Sequence, residues 1–282
     1  MTDQATQDAP TDAQPRLAVA GQVERSVSRH AAPRVMAQFS CGAASAVATK
    51  MALAQHKGAE VLIANAFLVE EDEDNRRFLA DCEDWFGQRA LQLRDDKYGA
   101  SADEVWRRKQ YMKGRKGAPC SGELKRKVLD KIKRSDDVVV FGFTAEEADR
   151  FEDFQERNPA LRCSAPLVEA GIGKADALAM VQRAGIKLPL AYRQGYSNAN
   201  CVGCPKGGEG YWNHVRKVHP LVFQRRLERQ ESIGPGAYFF RDRDTEERFG
   251  LKDLDPKAGR HDEPMPACSF FCELAEHDYA AS

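Results

Sequence analysis

The chain has 282 residues, of which 42 are basic and 43 acidic, with a formal net charge of −1. Such a length can bury a sizeable core in one large domain, or in one domain with an appendage. The near-neutral balance excludes a global field drawing the protein to nucleic acid or membrane, and no apolar run approaches the roughly 20 residues of a membrane helix.

Residues 1–33 are rich in Ala, Gln, Asp, Thr and Ser and lack apolar periodicity, which predicts a disordered tail. They also lack the basic and apolar blocks of a signal peptide, so the expected location is cytoplasmic. From Arg34 the texture changes. Val35-Met36-Ala37-Gln38-Phe39 is a short apolar run, broken at Ser40-Cys41-Gly42-Ala43-Ala44-Ser45, and helix formers follow to Ala54. That order is strand, tight turn, helix start. Gly42 lets the backbone turn, and Ser45 is placed to cap. The unpaired amides of the first helical turn and the helix dipole both favour an anion, so the turn is a candidate phosphate site.

Val61 to Phe67 reads as a strand buried on both faces. Asp74 to Phe86 has its apolar residues at helical spacing. Leu91 to Leu93 is a weaker strand, Ala102 to Tyr111 a helix, and Gly122 to Lys133 a lysine-rich helix introduced by Pro119-Cys120-Ser121. Asp137 to Phe143 is the clearest strand, with a helix from Ala145. A short strand ends at Ala165-Pro166-Leu167, and Lys174 to Ala184 is helical. Strands alternating with helices predict an α/β fold: a parallel twisted sheet of about five strands flanked by helices. Ligands of such sheets sit at the carboxyl ends of the strands, which puts Ser40 to Ser45, Asn65 and Gly142 on one rim. After Pro189 the texture becomes rich in Gly, Asn and Cys; periodicity survives only in about Tyr211 to Arg229, and 232–264 reads as irregular. The expected organisation is a tail over 1–33, a nucleotide-binding domain over 34–195, and a cysteine-rich extension over 196–282 packing on it.

Eight cysteines in a chain expected to be cytoplasmic point to metal or catalysis before disulfides. Cys201-x-x-Cys204 and Cys268-x-x-x-Cys272 are two pairs able to present four thiolates to zinc or to an iron–sulfur cluster. A disulfide between Cys201 and Cys204 is the redox alternative. Cys41, at the candidate phosphate turn, would have its pKa lowered by the helix start, although a small buried filler is the simpler role. Cys82 and Cys163 fit core positions.

Several blocks occur in one order: Ser40-x-Gly42-x-x-Ser45; Ala64-Asn65 with 74–87; Ala118-Pro119-Cys120-Ser121-x-x-Leu124-Lys125; Gly142-x-x-x-x-Glu147-x-x-Arg150; then Pro166-Leu167 and Cys201-x-x-Cys204. Over roughly Arg34 to Phe223 the chain resembles the phosphoadenosine phosphosulfate reductase family, within the adenine-nucleotide hydrolase and ATP-pyrophosphatase group. The resemblance implies a Rossmann-like sheet binding an adenine nucleotide through Ser40, Cys41, Gly42, Ser45, Asn65, Gly142, Glu147 and Arg150. It marks Lys125 as a cation for the sulfate or phosphate. It also implies a 4Fe–4S cluster held by Cys120, Cys201, Cys204 and Cys272, leaving Cys268 as an alternative fourth ligand or as the sulfur nucleophile.

Three departures bear on the reaction. Ala44 stands where ATP-cleaving members carry an aspartate, so Mg2+ loses a hard oxygen ligand and is expected only if ATP is used. Glu70, Glu71 and Asp72 are substitutes in principle, but read better as a solvated loop. Thr144 replaces the first arginine of its block, and the tail lacks the Glu-Cys-Gly-x-x-His order of assimilatory reductases. The primary expectation is an enzyme that binds adenylyl sulfate or ATP and performs sulfur redox or transfer beside the cluster, with a thiol reductant or sulfur-donor protein as partner. A second is ATP-dependent thiolation of a nucleobase in RNA or DNA. A third is a non-catalytic nucleotide-binding module with structural zinc. The aromatic, basic run from Tyr211 to His219 could clamp a base or RNA, but its apolar spacing fits a core helix better.

Overall fold

The computed structural model describes residues 33–114, 117–242 and 244–260. The expected tail, Pro33 apart, lies outside the described residues, as do Cys268 and Cys272.

The chain runs β1 (Val35–Gln38), α1 (Ala43–Gln55), β2 (Val61–Ala66), α2 (Asp74–Phe86), β3 (Leu91–Leu93) and α3 (Ala102–Lys109). There follow α4 (Pro119–Ser121), a π turn (Gly122–Arg126), α5 (Lys127–Asp130), β4 (Val138–Val140) and α6 (Ala148–Arg157). Next come β5 (Cys163–Ser164), α7 (Pro166–Glu169), α8 (Lys174–Arg183) and α9 (Leu190–Arg193). The chain then forms α10 (Glu209–Val218), α11 (Pro220–Ile233), β6 (Phe240–Arg241) and β7 (Arg248–Phe249).

Five strands form one parallel sheet in the order β3-β2-β1-β4-β5. From β1 the chain works outward to β3, then crosses to the other side for β4 and β5. The order therefore reverses between β1 and β4, where a doubly wound sheet opens a crevice at its carboxyl edge.

Successive side chains of a strand point to opposite faces, and β1 obeys this. Val35, Ala37 and Phe39 join one buried cluster with Phe78, Leu79 and Phe86 around α2 and Ala177 and Val181 of α8, whereas Met36 joins Val128, Leu129, Phe151 and Phe154 on the other face. A third cluster lies beside the sheet. It unites Val105 and Trp106 of α3, Cys120 and Leu124 with Tyr211, Trp212 and Val215 of α10 and Phe239 and Leu251 beyond.

Several elements differ from the sequence reading. The helix expected over 122–133 begins as a π turn directly after α4 and continues as α5, which ends at Asp130. Pro166 opens a helical turn, a position where its missing N–H costs nothing, so β5 stops at Ser164. The periodic run 211–229 is two helices, because Pro220 cannot donate back into α10 and starts α11 instead. Within 232–260 the chain makes one short antiparallel pair, β6 with β7.

The starts of β1 and β4 are tied by a buried ion pair. Arg34 donates from Nε to Asp137 Oδ1 at 3.0 Å and from Nη2 to Oδ2 at 2.8 Å, and Asp137 also accepts the Arg134 N–H at 2.8 Å. Removing one partner of such a pair strands the other charge. We expect Asp137→Ala to lower the urea-unfolding free energy by about 3–5 kcal/mol. A loss below about 1 kcal/mol would mean that water reaches Arg34.

Candidate functional site

The turn after β1 is shaped by three unusual positions. Gly42 is the N-cap of α1 and has no side chain to donate. Ser45 was expected to cap; it lies within the first turn, and its hydroxyl donates to the Gly42 carbonyl at 2.9 Å while accepting from the Ser40 N–H and the Ser40 hydroxyl, both at 3.2 Å. One hydroxyl thus fastens the turn to the helix. Cys41 sits at φ +58°, a left-handed conformation that costs a non-glycine residue about 1–3 kcal/mol.

Gly142, just past β4, presses against the same turn. A Cβ there would stand 2.7 Å from both Cα and N of Ser45. Only a residue without one lets β4 approach α1 this closely.

Between the turn and the end of β4 lies a cavity of about 510 Å3, within the usual range for small-molecule sites. Ser40, Gly42, Ser45, Gly142, Glu147, Arg150 and Lys125 all line it, so seven of the expected site residues share one space. Cys41 and Asn65 do not. Asn65 is buried behind the turn, donating from Nδ2 to the Phe39 carbonyl at 2.8 Å and to Cys41 Sγ at 3.5 Å, while its neighbours Ala64 and Ala66 reach the wall. These two residues brace the loop. Burial pushes the Cys41 thiol well above its ordinary pKa, and nearby Glu71 adds to this; the activation expected from the helix start is overridden.

The cations of the cavity differ in their commitments. Arg150 donates to Glu147 at 2.8 Å, one helical turn away, and lies over the Phe143 ring. Glu147 also accepts the Thr144 N–H at 3.2 Å, in a capping box at the start of this helical segment. Lys125 pairs with Glu71 at 3.1 Å, and both side chains are nearly inaccessible. The expectation of a solvated loop over Glu70 to Asp72 is therefore corrected. Glu70 accepts from Ser101 and two amides at the start of α3, Glu71 holds Lys125, and Asp72 accepts the Asp74 N–H. Desolvation raises the Glu71 carboxyl above its ordinary range, with Lys125 opposing it.

Three contributors were not anticipated. Lys174, first residue of α8, lines the cavity, has no ion pair among the described residues, and has its pKa lowered by burial. Its signal was legible: Gly171-Ile172-Gly173-Lys174 is a glycine-spaced turn before a helix, after the fifth strand, on the same rim. Tyr192 comes from α9, and its hydroxyl accepts the Ala43 N–H at 3.1 Å, occupying the first amide of α1. No spacing rule would have found it. The loop Ser197 to Asn200 forms another wall and leads directly into Cys201.

Cys120, Cys201 and Cys204 are all buried in the third apolar cluster. The Cys201–Cys204 loop is held by Tyr211, whose hydroxyl accepts the N–H groups of Gly203 at 2.7 Å and Cys204 at 3.0 Å. Among the described residues no three of His, Cys, Asp and Glu come together as a metal-holding group. Cys120, Cys201 and Cys204 thus share an apolar cluster without forming a metal-holding group by themselves, and the remaining ligand expected from sequence, Cys272, and its alternative Cys268 lie outside the described residues. Their donor chemistry is sulfur alone, which suits zinc or iron–sulfur and not Mg2+.

No protein-family model and no curated protein matches the chain. No helix among the described residues is long and apolar enough to cross a membrane.

Two outcomes follow from this geometry. Gly142→Ala should cost about 1–3 kcal/mol in denaturant unfolding, because the added methyl meets main chain that cannot swing aside. Native protein treated with iodoacetamide at pH 7.5 should carry no adduct on Cys41 by peptide mass spectrometry, and modification at that residue before unfolding would contradict its burial.

Proposed function

We propose that the chain is an adenine-nucleotide-binding enzyme of the phosphoadenosine phosphosulfate reductase type, handling sulfur beside a cysteine-held centre. The cavity at the reversal point of the sheet carries this reading, because a phosphate-loop turn forms one wall while two others lead into thiols. Lys125 lies five residues after Cys120, and Ser197 to Asn200 run into Cys201.

In this reading the nucleotide phosphates meet the turn at Ser40 to Ser45, with the amides of Ala44 and Ser45 as donors. Lys174, which makes no ion pair among the described residues although Glu146 and Glu147 lie near it, supplies a positive charge. Arg150, oriented by Glu147, faces the phosphate or ribose, and Lys125 with Glu71 forms a neutral pair in the wall that needs no counter-ion from solvent. Cys120, Cys201 and Cys204 would hold a 4Fe–4S cluster together with Cys272 or Cys268. Such a group, when bound, supplies an electron or a sulfur atom close to the nucleotide. If Cys272 is the ligand, Cys268 is the candidate nucleophile, and a thiol reductant or sulfur-donor protein must restore it.

Reduction of an adenylyl sulfate is favoured over ATP cleavage by Ala44. The acidic loop that could have replaced its missing carboxylate is committed to α2, α3 and Lys125.

Sulfite release from adenylyl sulfate with a thiol reductant, set beside pyrophosphate release from ATP, tests the reaction. We expect the first and not the second, and pyrophosphate release alone would transfer the protein to the thiolation class. Lys174→Ala should weaken adenylyl nucleotide binding roughly ten- to a hundredfold, the worth of one charge-assisted hydrogen bond. Anaerobic iron and sulfide analysis should find a cluster in the wild type and none in Cys120→Ser, whereas unchanged iron in the variant removes Cys120 from the ligand set.

A further inference from the structure

The cavity at the strand ends touches both faces of the sheet, and the two faces differ in chemistry. Alternate residues of a strand point to opposite sides. The turn at Ser40 to Ser45 leads into α1, and Lys174 opens α8; both helices pack on the face that holds Val35, Ala37 and Phe39. Gln38 lies on the other face, with Met36. Strand register sets it beside Ala64 of β2. On the β4 side Ala37 is level with Val140, so Phe141 comes next to Gln38. Gln38, Ala64, Ala66, Leu129 and Phe141 all line the cavity.

Gln38 is the polar side chain among these five. Its Nε2 is buried and has no hydrogen-bond partner among the described residues. Shutting an amide N–H away from water without an acceptor costs free energy. The side chains around it are two alanines, a leucine and a phenylalanine, which have no acceptor to offer. Lys125, four residues before Leu129, is already paired with Glu71. The cavity thus has a part suited to phosphate near α1 and α8. Across the strand ends it has an apolar part that holds one unspent amide, the usual make-up of a site where a few placed polar groups fix the orientation of an apolar ligand.

We propose that Gln38 reads the base of the bound nucleotide and recognises adenine by its exocyclic amino group. This rests on the nucleotide reading of the cavity given above, and adds a base contact that neither the phosphate turn nor the thiols supply. A primary amide carries a donor and an acceptor side by side. Adenine shows the complementary pair, its N6 amino group and the adjacent ring nitrogen, and glutamine is a recurrent partner of such an edge. The last torsion of a glutamine side chain is soft, so a partial rotation brings the N–H toward the ligand. Oε1 then accepts from N6–H while Nε2 donates to the ring nitrogen. Ala64 and Ala66 leave space beside Gln38 for the ring, and Leu129 and Phe141 give it apolar contact.

Calorimetric titration of the full chain with adenosine monophosphate and with purine riboside monophosphate, which lacks only the N6 amino group, tests it. The wild type should bind the adenosine nucleotide about tenfold more tightly or better. Gln38→Met keeps the length of the side chain and removes both amide atoms. It should weaken the adenosine nucleotide and bring the two affinities within about twofold of each other. The ligand-free variant should melt no lower than the wild type, because an unpaired N–H has been removed. If Gln38→Met does not fold, Gln38→Leu takes its place, and the wild-type ratio decides if neither folds. The proposal is overturned if the wild type binds both nucleotides equally, or if the variant keeps the wild-type ratio. Should neither nucleotide bind the wild type, the nucleotide reading of the cavity fails and this assignment with it, an outcome distinct from equal binding of both.

Discussion

The contact on which the site depends is that between Gly142 and Ser45. Strand β4 and helix α1 come from opposite halves of the doubly wound sheet, and here their backbones touch without an intervening side chain. That closeness sets the width of the crevice between β1 and β4. It also fixes the first turn of α1 against the strand end, so that the serine-bonded turn Ser40 to Ser45 has one conformation. The buried pair of Arg34 with Asp137 does the corresponding work at the opposite end of the same two strands.

The second organising feature is the helical segment from Pro119 to Asp130. It begins with Cys120 in the apolar cluster and carries Lys125 into the wall of the cavity. The π turn between these residues rotates the helix relative to a regular α path, a device often found where a helix must present a functional group. Lys125 arrives with a dedicated carboxylate, Glu71, so a desolvated charge is never left uncompensated. Glu71 and Val202 also line a second cavity, of about 590 Å3, against α11. The Lys125–Glu71 pair therefore forms the partition between two spaces.

The parallel sheet was legible because its strands are short, continuous apolar runs separated by helical periodicity, and Val61 to Ala66 needs no other information. Ser40, Gly42, Ser45, Gly142, Glu147 and Arg150 were legible as a rim because each follows a strand end, or the turn beyond it. What sequence could not supply was direction. Asn65 and Ala66 are neighbours, yet the first faces the back of the loop and the second the cavity wall. The acidic run Glu70 to Asp72 looks solvated by composition, and only the arrival of Lys125 and of the α3 amides makes it structural. Tyr192 is separated from Ala43 by 149 residues and has no motif, so its hydroxyl at the helix start is a product of tertiary packing alone.

That hydroxyl has a consequence for what the start of α1 can hold. A ligand oxygen seeking the Ala43 amide must first displace a phenol that already satisfies it. Tyr192 stands nine residues ahead of Cys201, and the intervening chain includes the wall from Ser197 to Asn200. The phenol and a ligand compete for that one amide alone, and the amides of Ala44 and Ser45 lie outside the exchange.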